Sequence, residues 1–131
     1  MYTIHLYKLP DKDLNPNKRL HHQTLSKVKR QAKEEMMVRV YEQVQSKPKQ
    51  PIRQCHIHTR FFIADKRRRD GDNLFCSMKA YFDGLVSAKL LEDDASDFVS
   101  HSFDIRRIDG TPDTVVTIEE GRKEYEKEII D

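Results

Sequence analysis

Residues 53–64, RQCHIHTRFFIA, alternate without interruption. Cys55, Ile57, Thr59, Phe61 and Ile63 fall on one side; His56, His58 and Arg60 fall on the other. A period of two is the geometry of a strand, because successive side chains leave opposite faces of a pleated backbone. A strand with one apolar face must be covered by another layer, and the preceding residues supply one. Leu25, Val28, Ala32, Met36, Val40 and Val44 recur at spacings of three or four. That stripe predicts a helix over about His22–Gln45, with Lys27, Arg30, Lys33 and Glu34 off it. The Pro-containing segment SKPKQP, Ser46–Pro51, ends the helix.

The remaining elements follow the same logic. Tyr2, Ile4 and Leu6 alternate with polar residues and predict a short first strand. PDKDLNPN, Pro10–Asn17, reads as a loop. Asn73–Lys89 reads as a second helix with Leu74, Met78, Tyr81, Phe82, Leu85 and Ala88 on its apolar face and Asp72 as its N-cap. Two further strands are expected at about Phe98–Ile108 and Thr114–Glu119, joined as a hairpin through Asp109-Gly110-Thr111-Pro112-Asp113. The tail, EEGRKEYEKEII, is acidic and expected to be helical. The order β-α-β-α-β-β makes residues 1–131 a single α+β domain, a mixed or antiparallel sheet packed with two main helices.

Composition sets bounds on this fold. Only 37% of residues are hydrophobic, 35% are charged, and there is no Trp. The core is therefore thin, and association of two copies would help cover it. No apolar run approaches the roughly 18 residues of a bilayer span. The start, MYTIHLY, lacks the basic and apolar regions of a signal peptide. The expectation is a soluble, cytoplasmic protein without membrane contact. Cys55 and Cys76 form no motif and read as reduced, small apolar residues.

The formal net charge of +2 conceals an asymmetry. Residues 18–53 carry ten Lys/Arg against three Asp/Glu, residues 60–69 five against one, and residues 92–131 five against thirteen. The first half suits a polyanion and the C-terminal third does not.

The second expected strand–helix junction carries the chemistry. It reads Lys66, then RRRDGDNL from Arg67 to Leu74. If the backbone stays extended, Asp70 and Asp72 at i and i+2 point the same way. Converging carboxylates attract a hard cation such as Mg²⁺, and Asp93 or Asp94 could close the site if the chain retraces the second helix. Asp-Gly equally suits a turn, Asp72 a cap, and Glu92-Asp93-Asp94 a polar loop. An EF-hand is excluded, since Phe75 stands where its Gly belongs. His56 and His58 lack a third ligand nearby and read as polar sheet surface. The neighbouring guanidinium groups match phosphate geometry. Basic groups beside a metal-binding acidic cluster form a phosphodiesterase arrangement, with Lys79 placed to steady developing charge.

RRRDGDNL followed by KAYFDGLVSAKLLEDD resembles the RusA-type Holliday junction resolvases, endonucleases of phages and prophages. LNPNKRLHH upstream is similar to that family's N-terminal loop, and the last expected hairpin is also similar. The resemblance implies a homodimeric α+β enzyme that resolves four-way DNA junctions in recombination and repair by paired, Mg²⁺-dependent phosphodiester hydrolysis, with Mn²⁺ a substitute. No small-molecule cofactor is implied. Catalytic residues would be Asp70, Asp72, Asp94 and Lys79. The metal would lie on Asp70, Asp72 and Asp94, with Asp93 in support. DNA contacts would fall on Lys66, Arg67, Arg68, Arg69 and Asn73. One departure stands out: about three extra residues, within Phe75–Met78, precede Lys79 and set it roughly one helical turn (~3.6 residues) further from Asp72. A different class of function is also open: a non-catalytic nucleic-acid-binding module using residues 18–53 and 66–69, which would bind with a steep salt dependence and no need for metal. A third is a small dimeric interaction protein whose charges serve solubility.

Overall fold

A computed structural model describes residues 1–93 and 97–121. The elements are β1 (Tyr2–His5), a 3₁₀ turn (Lys12–Leu14), α1 (His22–Gln43), β2 (Cys55–Ile63), α2 (Gly71–Cys76), α3 (Lys79–Ser87), β3 (Val99–Arg107) and β4 (Asp113–Glu120). The α+β architecture expected from the sequence is present: one four-stranded mixed sheet in a small single domain, with α1 and α3 as its main helices. Among the described residues no helix is long and apolar enough to cross a membrane. Asp94 and the acidic tail beyond Gly121 lie outside the described residues; Glu119 and Glu120, at the start of the expected tail helix, are the end of β4.

The sheet order is β1-β4-β2-β3. β2 is central, parallel to β3 from Cys55↔Val99 to Ile63↔Arg107 and antiparallel to β4 from Cys55↔Glu120 to Phe62↔Asp113. This corrects the expected hairpin. β3 and β4 are not neighbours; residues 108–112 carry the chain over the end of β2 to its other side. The turn chemistry of Asp109-Gly110 is real, and Gly110 takes a φ of 126° that L side chains rarely adopt. A turn signal is local, however, and does not specify which strand lies between its arms. β2 takes the centre because it can pair both edges and bury the whole of one face, with His56 on the other. Cys55, His56, Ile57, Thr59, Phe61 and Ile63 are all buried.

The helical layer lies on the Ile57/Phe61 face. Val28, Ala32, Met36 and Val40 of α1 are buried, the stripe read from spacing. Ala80, Tyr81, Phe82 and Leu85 of α3 join Ile4, Ile57, Val116 and Ile118 in the same core. Large side chains buried to this extent each contribute about 1.5–3 kcal/mol from removal of apolar area from water. Cys55 belongs to this core, and burial, reinforced by Glu120, pushes its thiol up to about 11. The thiol is therefore un-ionised at neutral pH, whereas Cys76 is exposed.

The expected single helix from Asn73 to Lys89 is two helices. α2 ends at Cys76 and α3 begins at Lys79, with a joint at Ser77-Met78. The Ser77 hydroxyl donates to the Asn73 carbonyl at 2.8 Å, and Met78 N–H bonds Phe75 O rather than Leu74 O, tightening the last turn of α2. The joint falls within Phe75–Met78, just ahead of Lys79.

α1 and α3 cross at Gly84. A Cβ built there would lie 2.5 Å from the Lys33 carbonyl oxygen and 2.7 Å from Met36 Cβ. Backbone cannot yield as a side chain can. Gly84→Ala is therefore expected to destabilise the protein by about 1–3 kcal/mol. The change would be read as a lower urea midpoint at unchanged m-value; an unaltered midpoint would mean that the helices separate without cost.

Candidate functional site

The site grows from the end of β2. After Ile63 the chain turns at Asp65, whose carboxylate accepts from the Arg67 N–H at 3.1 Å and from the Arg69 guanidinium at 2.6 Å. The Arg69 hydrogen bond holds the Asp65 carboxyl below its ordinary pKa. From the end of β3, Arg107 donates to the carbonyls of Asp65 at 2.7 Å and Arg67 at 2.9 Å. The basic loop is thus held by two residues that no motif in the sequence singles out. Asp65 carried a detectable signal, since an Asp just past a strand readily bonds an N–H two residues on. Arg107 carried none, being forty residues away from Arg67.

This scaffold presents Lys66, Arg67 and Arg68 as exposed side chains and Arg69 as half-buried. Arg69 is committed to Asp65, whereas Arg68 makes no ion pair among the described residues. Asp70 follows in extended conformation (φ −87°, ψ 111°), and α2 begins at Gly71. Asp70, not Asp72, is the helix cap. One Asp70 oxygen accepts from Asp72 N–H at 3.0 Å and Asn73 N–H at 3.3 Å. Asp72 lies in the first helical turn, so the expectation that i and i+2 share a face does not hold here. The two carboxylates are still near neighbours at one exposed corner. Asp70 keeps its second oxygen outside the cap, and the Asp72 carboxylate has no polar partner among the described residues.

α2 leans on β3. A Cβ at Gly71 would lie 3.0 Å from the Phe103 ring and 3.3 Å from Ile105, and the Phe75 ring stacks on Phe103 with centroids 4.9 Å apart. Asn73 and Asp70 line a hollow of about 200 Å³ with Arg68, Arg69 and Lys12. Lys79 stands at the start of α3, 3.3 Å from Asp83 one turn on, and lines a second hollow rather than the first.

Asp93 is placed elsewhere. Leu91 forms a parallel bridge with Ile52, ahead of β2, while Gly71 packs on Phe103 and Ile105, which pair with Thr59 and Phe61. The stretch from Ile52 to Thr59 spans roughly 20 Å at ~3.3 Å per residue. Within one chain, Asp93 and the Asp70–Asp72 corner therefore sit towards opposite ends of β2. Among the described residues no three His, Cys, Asp or Glu side chains come together as a metal cluster.

The other face of β2 is an ordered polar ladder. His56 Nδ1 and Nε2 each lie 2.7 Å from a serine hydroxyl, Ser100 and Ser102. His58 Nδ1 is 2.6 Å from Ser102 Oγ, and Arg60 donates twice to Asp104, at 2.8 and 2.9 Å. The Arg60 hydrogen bonds, aided by His58, hold the Asp104 carboxyl below its ordinary pKa. Both histidines are committed to serines of β3; His58 is partly exposed, as expected of sheet surface, whereas His56 is buried.

No family model matches the chain, and no curated protein matches it.

The cap separates two roles of Asp70 that coincide in the sequence. Asn caps a helix about as well as Asp, whereas Ala does not. Asp70→Ala is expected to cost about 1 kcal/mol and Asp70→Asn only a few tenths, measured as urea midpoints. If the Asn and Ala variants were equally destabilised, charge rather than capping would be what the fold draws from this residue.

Proposed function

We propose that this chain is a Mg²⁺-dependent, structure-selective endodeoxyribonuclease that resolves four-way DNA junctions, working as a homodimer. The observation that carries the reading is the corner after β2, where two carboxylates with unused oxygens are held by backbone geometry directly against an exposed run of basic side chains. Carboxylates in that position would repel a phosphodiester unless a cation lay between them. The donor set fits Mg²⁺, a hard ion that takes oxygen ligands and is commonly held by one or two carboxylates with several waters. Asp70 and Asp72 would hold it, and the bound ion would supply Lewis acidity and an activated water for attack on phosphorus.

The chain's own residues supply the rest. Lys66, Arg67 and Arg68 project from a loop clamped by Asp65 and Arg107, so their charge is delivered at a fixed place. Arg69 keeps that loop closed through Asp65 and faces the same hollow as Asn73. Lys79, held one turn away beside Asp83, serves the neighbouring hollow and binds phosphate there rather than touching the scissile group.

The third carboxylate of the implied set, Asp94 with Asp93 in support, is expected to come from the partner subunit. Asp93 lies towards the far end of β2 from Asp70 within one chain. A two-fold homodimer in which antiparallel copies meet along the β3 edge would bring one copy's near end to the other's far end. Two identical sites would then face the symmetry-related strands of a junction.

Two measurements test this. The wild-type protein should nick a synthetic four-way junction symmetrically in Mg²⁺ or Mn²⁺. Asp72→Asn should lower cutting roughly 10³-fold or more, the scale of loss when one member of a cooperating set is removed, while junction binding persists. Binding without any cutting across both metals would instead favour a non-catalytic nucleic-acid-binding module. The shared-site arrangement is tested by mixing Asp72→Asn subunits with Asp94→Asn subunits. One intact site per mixed dimer is expected, giving single nicks without paired resolution; complete inactivity of the mixture would place all three carboxylates within one chain.

A further inference from the structure

Two hollows adjoin beside the candidate site. The larger, about 410 Å³, lies between the N-terminal loop, α1 and the α2–α3 joint; its floor includes Leu14, Leu25 and Ala80, and its cations are Lys18, Lys29 and Lys79. The smaller, about 200 Å³, holds Lys12, Arg68, Arg69 and the Asp70 carboxylate. Asn15 and Ser77 line both, so the two hollows adjoin as successive parts of one grooved surface that reaches Asp70. Six cationic side chains face it against two carboxylates, Asp70 and Asp83.

The groove wall is built rather than incidental. The Tyr81 hydroxyl, fully buried, accepts from the Asp11 N–H at 3.0 Å, tying the loop to α3. Asp11 then caps the 3₁₀ turn through the Asp13 N–H at 2.9 Å, and Lys18 N–H returns to the Asn15 carbonyl at 2.9 Å. Lys8 crosses from the same loop to Glu35 of α1 at 3.0 Å. These bonds fix the loop that carries Lys12 and Lys18 at a set distance from Lys29. Lys12 and Lys29 make no ion pair among the described residues, and Lys18 bonds only the half-exposed Asp13. Exposed pairs of that kind are weak and exchange readily for phosphate. Of the basic residues in 18–53, Lys18 and Lys29 are the ones that face this groove; the rest of that surplus does not line it.

We propose that this groove carries the sugar–phosphate backbone of one DNA strand, with Lys12, Lys18 and Lys29 holding consecutive phosphates that lead to the bond presented at Asp70 and Asp72. The position of the cut rests on the nuclease reading above; the strand path does not. A concave, apolar-floored channel lined by one sign of charge concentrates a polyanion and orients it lengthwise, which a flat basic surface does not do.

The test uses a fluorescently labelled synthetic four-way junction in EDTA, titrated over a range of KCl. Lys12→Gln/Lys18→Gln/Lys29→Gln should bind roughly 100-fold more weakly than wild type at about 0.1 M salt, with the log–log salt slope reduced by about two to three, since every phosphate left un-neutralised keeps nearly one counterion that binding would otherwise release. A control of equal charge loss outside the groove, Lys27→Gln/Lys49→Gln/Lys89→Gln, should change affinity less than about threefold. An unchanged slope in the groove variant, or an equal loss in the control, overturns the strand path. If wild type cuts the junction in Mg²⁺ and the groove variant binds as wild type does, the path falls and the nuclease reading stands. If binding depends on the groove but wild type never cuts, the nuclease reading falls and the path stands. Absence of any junction binding by wild type overturns both.

Discussion

The rest of the structure is set by the pairing of β2 along both of its edges. Nine residues register with β3 on one side and eight with β4 on the other. That pairing satisfies the strand's backbone polar groups and leaves its side chains to define two surfaces. The Ile57/Phe61 surface anchors the helical layer. The His56/His58/Arg60 surface is tied laterally by Ser100, Ser102 and Asp104 of β3, so the polar ladder reinforces the same register that the backbone sets. A slip by one residue would turn both surfaces inside out at once. The exit point of β2, and with it the position of Asp70, is therefore fixed from both faces.

From that exit the chain is constrained at each step. Asp65 turns it, Arg107 clamps the turn from β3, Asp70 caps α2, and Gly71 lets α2 approach Phe103 closely enough for Phe75 to stack. The joint at Ser77-Met78 then redirects the chain so that α3 can pack on α1 through Gly84. A straight helix over residues 73–89 could not lean on β3 at one end and cross α1 at the other. The joint before Lys79 is what allows both contacts. Lys79, at the start of α3, lines the adjoining hollow rather than the one that holds Asp70.

What the sequence revealed and what it concealed divide along the range of the interaction. The α1 stripe and the β2 alternation are patterns of a single element facing a single environment, and both elements appear at nearly the boundaries their periodicity implies. The strand order was not legible, because nothing in the local chemistry of Asp109–Asp113 records that β2 lies between β3 and β4. The cap was misplaced by two residues, since Asp70 and Asp72 offer the same chemistry and only the point where the backbone leaves the strand distinguishes them. Arg107 was invisible for the same reason as the strand order: its partners are carbonyls, which every residue has. The basic surplus of 18–53 was visible as a sum, but which of its members face a common groove depends on where the N-terminal loop is tied, through Tyr81 and Asp11.

The topology also explains why the acidic residues of this chain look like one motif in sequence and two places in space. A parallel pair such as β2 and β3 requires the connection to return to the starting end of the sheet. Residues just after β2 and residues just before β3 must then lie at opposite ends, whatever helices fill the crossover. Asp70 and Asp72 occupy the first position and Asp93 the approach to the second. No adjustment of the helices removes that separation without breaking the register of nine residue pairs. Two copies related by a two-fold axis across the β3 edge remove it without any rearrangement, because the axis exchanges the ends. On this reasoning a composite site and a parallel β2–β3 pair are not independent features: if carboxylates flanking such a crossover share one cation, the pairing of strands within the subunit calls for the pairing of subunits.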